Sequence, residues 1–148
     1  PTTQEAVYAQ TAQTDDPYDH AAIVQGPTYY PNGDGSLEAS LCASDETPLL
    51  LYVVSMSEDW LFLDRAVDLS GKELPTHVMD RQVWGKVGRI REHLLVEMSR
   101  EALDAAAVSG LSVKLYGRRG NVVVTLPAYY VAGFLRKVQD IASSGSRN

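Results

Sequence analysis

The stretch from Glu92 to Ile141 constrains the fold most, because its apolar pattern switches between period two and helical spacing. Leu94, Val96 and Met98 alternate with His93, Leu95 and Glu97, which predicts a half-buried strand. Ser99 stands where an N-cap belongs, and Glu101 puts a negative charge near the positive end of a helix dipole. Leu103, Ala106 and Ala107 give that helix a narrow apolar stripe, and Gly110 is free to take the left-handed conformation that closes it. Leu111, Val113 and Leu115 resume a strand, and Gly117-Arg118-Arg119-Gly120-Asn121 is turn chemistry. Val122 to Leu126 is the return strand of a hairpin. Pro127 suits the first position of a helix, and Val131, Phe134, Leu135, Val138 and Ile141 recur on its apolar face.

Upstream, strands are expected over Ser36–Cys42, Leu49–Met56, Asp59–Val67 and Leu74–Trp84. Turn-forming residues separate them: Ser44 to Pro48, Ser57-Glu58, and Leu69 to Lys72. Leu49 to Val54 is apolar on both faces and is the expected central strand. Trp60 and Phe62 are expected on one face of the next strand, opposite Leu61 and Leu63. Short turns between consecutive strands favour an antiparallel meander. The fold class is therefore α+β: a mainly antiparallel sheet, curled or folded into a β-sandwich, with two helices from the C-terminal third. Residues 1–26 lack periodicity and are expected to be a flexible polar tether. Residues 27–142 are expected to form one globular domain, and residues 143–148 a disordered tail.

Composition narrows the partners. The chain of 148 residues is 45% apolar and 22% charged, as a soluble domain is, and no apolar run is long enough for a membrane helix. A net charge of −6 argues against a nucleic-acid partner, since phosphate binding needs a concentrated basic surface. It suits a cationic partner, although solubility alone explains it. Cys42 is the only cysteine, so no internal disulfide or cysteine-based zinc site is expected, and a buried apolar role is. His20, His77 and His93 are far apart and show no metal-binding spacing. Asn32 to Ser36 contains an Asp-Gly step, but an EF-hand register would put Tyr30 and Leu41 where carboxylates belong. A tight turn is expected there, and neither a cofactor nor a metal.

Five residues stand out as binding candidates. Arg118 and Arg119 form a positive hairpin tip suited to a carboxylate, a phosphate or a lipid headgroup, or simply an exposed turn. Arg89 and Arg91 make a second basic stretch that would strengthen an anion site if folding joined the two. Tyr29 and Tyr30, between prolines, would form a contact patch or cover one end of the sheet. Tyr129 is the better exposed contact on the last helix, and Tyr130 falls on its buried face.

The sequence Leu103-Asp104-Ala105-Ala106-Ala107, Gly110-Leu111, Leu115-Tyr116-Gly117, Val124-Thr125-Leu126-Pro127 and Gly133-Phe134-Leu135 resembles small exported bacterial proteins of unknown function. In rhythm it is also distantly similar to the invasion-associated locus B family, over Val83 to Val138, although the paired cysteines of that family are absent. The resemblance implies a periplasmic or envelope location and a binding or structural role. The chain begins at Pro1, as expected of a trimmed chain or a removed leader, and a membrane anchor preceding it would fit. The leading expectation is a non-enzymatic module of a bacterial cell envelope that contacts another protein. The alternatives are an enzyme or small-ligand binder with a pocket built from His77, Asp80, Arg81 and Glu92, and an acidic inhibitor or immunity-type protein acting on a basic partner; the alternative location is the cytoplasm.

Overall fold

The computed structural model describes residues 2–15, 22–44, 49–84 and 89–145. In chain order these form α1 (Gln4–Gln10), β1 (Ala12–Asp15), β2 (Ala22–Gln25), β3 (Leu37–Ser44), β4 (Leu49–Ser57), β5 (Leu63–Asp68) and β6 (Glu73–Leu74). They continue through β7 (Thr76–Trp84), β8 (Arg89–Met98), α2 (Arg100–Ser109), β9 (Leu111–Gly117), β10 (Asn121–Leu126) and α3 (Ala128–Gly145). The architecture is α+β, with two antiparallel sheets, neither closed into a barrel, and three helices. The larger sheet runs β1-β2-β3-β4-β8-β7 and the smaller β10-β9-β5-β6.

The C-terminal third follows its sequence signals. Ser99 accepts from the Ala102 amide at 3.0 Å, and Gly110 ends α2 at φ 90° with its N–H on the Ala106 carbonyl. The β9–β10 hairpin turns through Gly117 and Gly120, whose backbones bond at 2.8 Å. Pro127 lies one residue before α3 and lends its carbonyl to the Tyr130 and Val131 amides. Tyr130, Val131, Phe134 and Leu135 are buried, so the stripe read from the sequence is the one the helix packs. The Tyr130 hydroxyl donates to the Pro27 carbonyl and accepts from the Leu41 amide, which ties α3 to the chain entering β3.

β4 is central, paired with β8 over its whole length and with β3 over residues 50–55. Its other sequence neighbour is a different matter, because the expected meander breaks after Ser57. Residues 58–62 are not strand, and Phe62 takes φ 57°, which carries the chain out of the larger sheet. β5 therefore starts at Leu63 and joins β9 in the smaller sheet. Trp60 and Phe62 still lie together, stacked at 5.8 Å, although by loop geometry instead of strand pleat. The expected strand Leu74–Trp84 is likewise divided at Pro75, which has no N–H for a ladder. Leu74 enters the smaller sheet, as the second residue of β6, and the nine residues after Pro75 the larger. A register shift between Val78 and Asp80 then places one extra residue, Met79, in β7.

The N-terminal expectation needs correction. Residues assigned to a polar tether contain α1, β1 and β2, and β2 pairs with β3. Thr3 caps α1 by accepting from the Ala6 amide, Val7 is fully buried against the core, and the Tyr8 hydroxyl donates to Asp140 of α3 at 2.7 Å. A helix of seven residues with one apolar anchor shows no periodicity, and tertiary packing holds it. At the other end, α3 continues through Gly145, and residues 146–148 lie outside the described set, as do 45–48 and 85–88.

Gly133 permits the α1–α3 crossing: a Cβ there would fall 2.5 Å from the Gln4 carbonyl oxygen and 3.0 Å from Val7 Cβ. Gly133→Leu is expected to lever α1 away at a cost of about 1–3 kcal/mol. Limited proteolysis should then cut within residues 2–11 while the sheets stay protected; unchanged N-terminal protection would contradict this packing.

Candidate functional site

Alternation divides β8 cleanly. Ile90, Glu92, Leu94, Val96 and Met98 are buried, facing the shared core, while Arg91, His93, Leu95 and Glu97 are half-buried on the opposite face. Cross-strand partners share a face, so this outer surface continues through Leu50, Tyr52, Val54 and Met56 of β4 and through Glu38, Ser40 and Cys42 of β3. His77, Asp80 and Gln82 extend it onto β7. No described helix packs across this face. Its centre is nevertheless close-packed: Val54 is 3% and Ser40 2% exposed. The Tyr52 hydroxyl and His93 Nδ1 share a hydrogen bond of 2.6 Å over this centre. His77 and Glu97 pair at 2.8 Å toward the β7 edge.

The pocket envisaged from His77, Asp80, Arg81 and Glu92 does not assemble. Arg81 and Glu92 meet on the core side, whereas His77 and Asp80 lie on the open face. Glu92 is 1% exposed and its carboxylate is fully engaged: it accepts from the Leu61 amide at 3.2 Å, the Leu63 amide at 2.9 Å and Arg81 Nε at 3.1 Å. Arg81 also donates to the Leu63 carbonyl at 2.7 Å and lies over the Phe62 ring. This is a structural clamp on the crossover between sheets.

The other candidates separate into two regions. Arg118 and Arg119 are exposed at the hairpin tip, where the Arg119 amide donates to the Leu61 carbonyl. Arg118 borders a shallow hollow with Asp64, Arg65, Glu73 and Tyr116, while Arg89 and Arg91 border a different one. The two basic stretches therefore do not form one anion site. Tyr29 pairs by backbone with Ala39 and its ring packs 6.1 Å from that of Tyr130, so it covers the start of β3. Tyr129 is half-buried beside this cluster, and Tyr30 alone is largely exposed. Asp34 forms the tight turn expected, accepting from the Ser36 amide and hydroxyl; those bonds hold its carboxyl below the usual range. Among the described residues, no group of three His, Cys, Asp or Glu side chains could hold a metal ion, and no helix is long and apolar enough to cross a membrane.

The open face was not singled out by sequence, because strands apolar on both sides read as doubly covered. Tyr52 was the available signal: an amphipathic residue within an otherwise apolar run.

Two predictions follow from the two faces. Glu92→Leu is expected to cost about 3–5 kcal/mol in urea unfolding, and Glu92→Gln less, because its amide oxygen still accepts from the crossover. Adding Arg81→Met to Glu92→Leu should not restore stability, since the Leu61 and Leu63 amides stay orphaned; full recovery would reduce Glu92 to a counter-ion. On the open face, burial raises the Cys42 thiol from an ordinary 9.0 to about 11. The folded form thus holds this proton more tightly than the unfolded chain does. Its contribution to stability is complete below pH 9.0 and is lost as pH rises through about 11. Alkylation by iodoacetamide near neutral pH should be far slower in the native than in the unfolded protein, and equal rates would contradict the burial. Compared with known proteins, the chain matches no family model, no curated protein and no solved structure.

Proposed function

We propose that this chain is a non-enzymatic binding module that contacts another protein through the open face of its six-stranded sheet. The observation that carries this reading is the composition of that face. Leu50, Tyr52 and Leu95, half-buried over the packed Val54, form an apolar centre, with Glu38, Arg91, Asp80 and Glu97 around it. An apolar centre with a polar rim is the usual anatomy of a protein interface, and tyrosine is favoured there because it buries a large ring while its hydroxyl stays bonded. The separation of His77 and Asp80 from Arg81 and Glu92 supports a binding role over an enzymatic one. A bacterial envelope location is supported by the resemblance of the C-terminal half alone.

A photo-crosslinking residue placed at Leu95 of the full chain, in its native cell, is expected to give a discrete adduct whose partner mass spectrometry identifies. The same probe at Val123, on the exposed side of the smaller sheet, should give none, and Leu50→Glu should abolish the Leu95 adduct. Equal labelling from both positions, or an adduct that survives Leu50→Glu, would overturn the reading.

A further inference from the structure

The exposed side of the smaller sheet gathers positive charge around one aromatic ring. Arg65 of β5 lies directly opposite Tyr116 of β9, its guanidinium carbon 4.9 Å from the ring centroid. Lys114, two residues back on the same side of β9, puts its ammonium 5.0 Å from that centroid. The two charges are therefore no more than about 10 Å apart, roughly the Debye length in 0.1 M salt, and they repel. Attraction to the ring holds them together. Arg118, at the tip of the β9–β10 hairpin, borders the same hollow as Arg65 and Tyr116.

A bulge builds this arrangement. Leu63 pairs with Gly117 and Arg65 with Tyr116, so Asp64 is the extra residue. Without it, Arg65 would share the inward side of Leu63; with it, Leu63 is buried and Arg65 exposed.

The hollow, of about 430 Å³, is also bordered by the carboxylates of Asp64 and Glu73. Neither closes onto a cation, for no ion pair among the described residues includes Arg65, Lys114 or Arg118. Cation–π attraction uses no hydrogen-bond donor, so the N–H groups of Arg65 and Lys114 remain able to donate.

We infer that this hollow binds a phosphate dianion, free or as the monoester of a small polyol, between Arg65 and Arg118, with Lys114 adding charge from the next rung. A dianion relieves the repulsion among the gathered cations, and its oxygens accept charge-assisted bonds from several donors at once. The volume lies within the range of small-molecule sites. Asp64 and Glu73 act on the two forms differently: they repel the phosphate itself and accept from the hydroxyls of a polyol beside it.

Amide shifts of the ¹⁵N-labelled full chain, followed at constant ionic strength with inorganic phosphate, ribose 5-phosphate and acetate, test the inference. Both phosphates are expected to move the Arg65, Tyr116, Gly117 and Arg118 amides saturably at millimolar concentration, and acetate is not. Tighter binding of ribose 5-phosphate would assign the site to an organic monoester, and any other order to the free ion. Arg65→Gln and Arg118→Gln should each weaken phosphate about tenfold, equivalent to roughly 1.4 kcal/mol. Asp64→Asn should instead tighten inorganic phosphate, a gain that misfolding cannot produce. The inference is overturned if neither phosphate moves these amides, or if acetate moves them as far. It is equally overturned if either arginine variant binds as the parent does, or if Asp64→Asn fails to tighten inorganic phosphate. This site lies on the other sheet from Leu95, so it stands or falls independently of the partner contact there.

Discussion

The carboxylate of Glu92 fixes where the chain leaves one sheet for the other. It projects from β8 into the core and accepts from the amides of Leu61 and Leu63, the two residues on either side of Phe62. Phe62 is the one non-glycine residue among those described with positive φ, a conformation that costs of order 1–3 kcal/mol. Hydrogen bonds to a charged group contribute about 1.5–3 kcal/mol each, enough to hold the turn against that strain. Arg81, directly across from Glu92 on β7, supplies the opposite charge and satisfies the Leu63 carbonyl. The hairpin tip then closes over this turn. Side chains at Gly117 or Gly120 would collide with Leu61, and at Gly117 with Phe62 as well. Both sheets, the crossover and the hairpin thus meet at one ion pair, whose carboxylate is buried and whose guanidinium is half-buried.

Such a clamp is only partly legible in sequence. The segment from Glu92 onward was readable because every element in it carries a period and a boundary residue: Ser99, Gly110, Gly117, Pro127. The exit at Phe62 was not, since Asp59-Trp60-Leu61-Phe62-Leu63 is an ordinary strand-like run and phenylalanine gives no sign of a left-handed backbone. The expected strand Leu74–Trp84 passed over Pro75, whose missing N–H marks a change of sheet within one apparent strand. α1 escaped because Val7 is its single buried residue. For the site, Arg81 and Glu92 were expected in one pocket with His77 and Asp80, whereas the role of Glu92 depends on backbone amides 29 and 31 residues away. Whether Leu50, Tyr52 and Leu95 face a second layer or open space depends on where the helices pack, which the strands themselves do not encode.

The two faces of the larger sheet divide structure from recognition. The inner face carries the buried aliphatic residues, the clamp and the contacts with α3. The outer face keeps a half-buried apolar middle of Leu50, Tyr52 and Leu95, with charged residues around it.

The irregularity in β7 has a consequence for how this surface is approached. β7 is a border strand of nine residues with Val78, Met79 and Val83 exposed, the sort of margin that invites strand-by-strand growth into fibres. The extra residue at Met79 throws the outward-facing amides and carbonyls out of step midway, and Pro75 removes a donor at the start. An incoming strand finds no continuous ladder to copy. Self-assembly along the margin is thereby discouraged at high concentration, and encounters that persist are those made broadside, across the sheet.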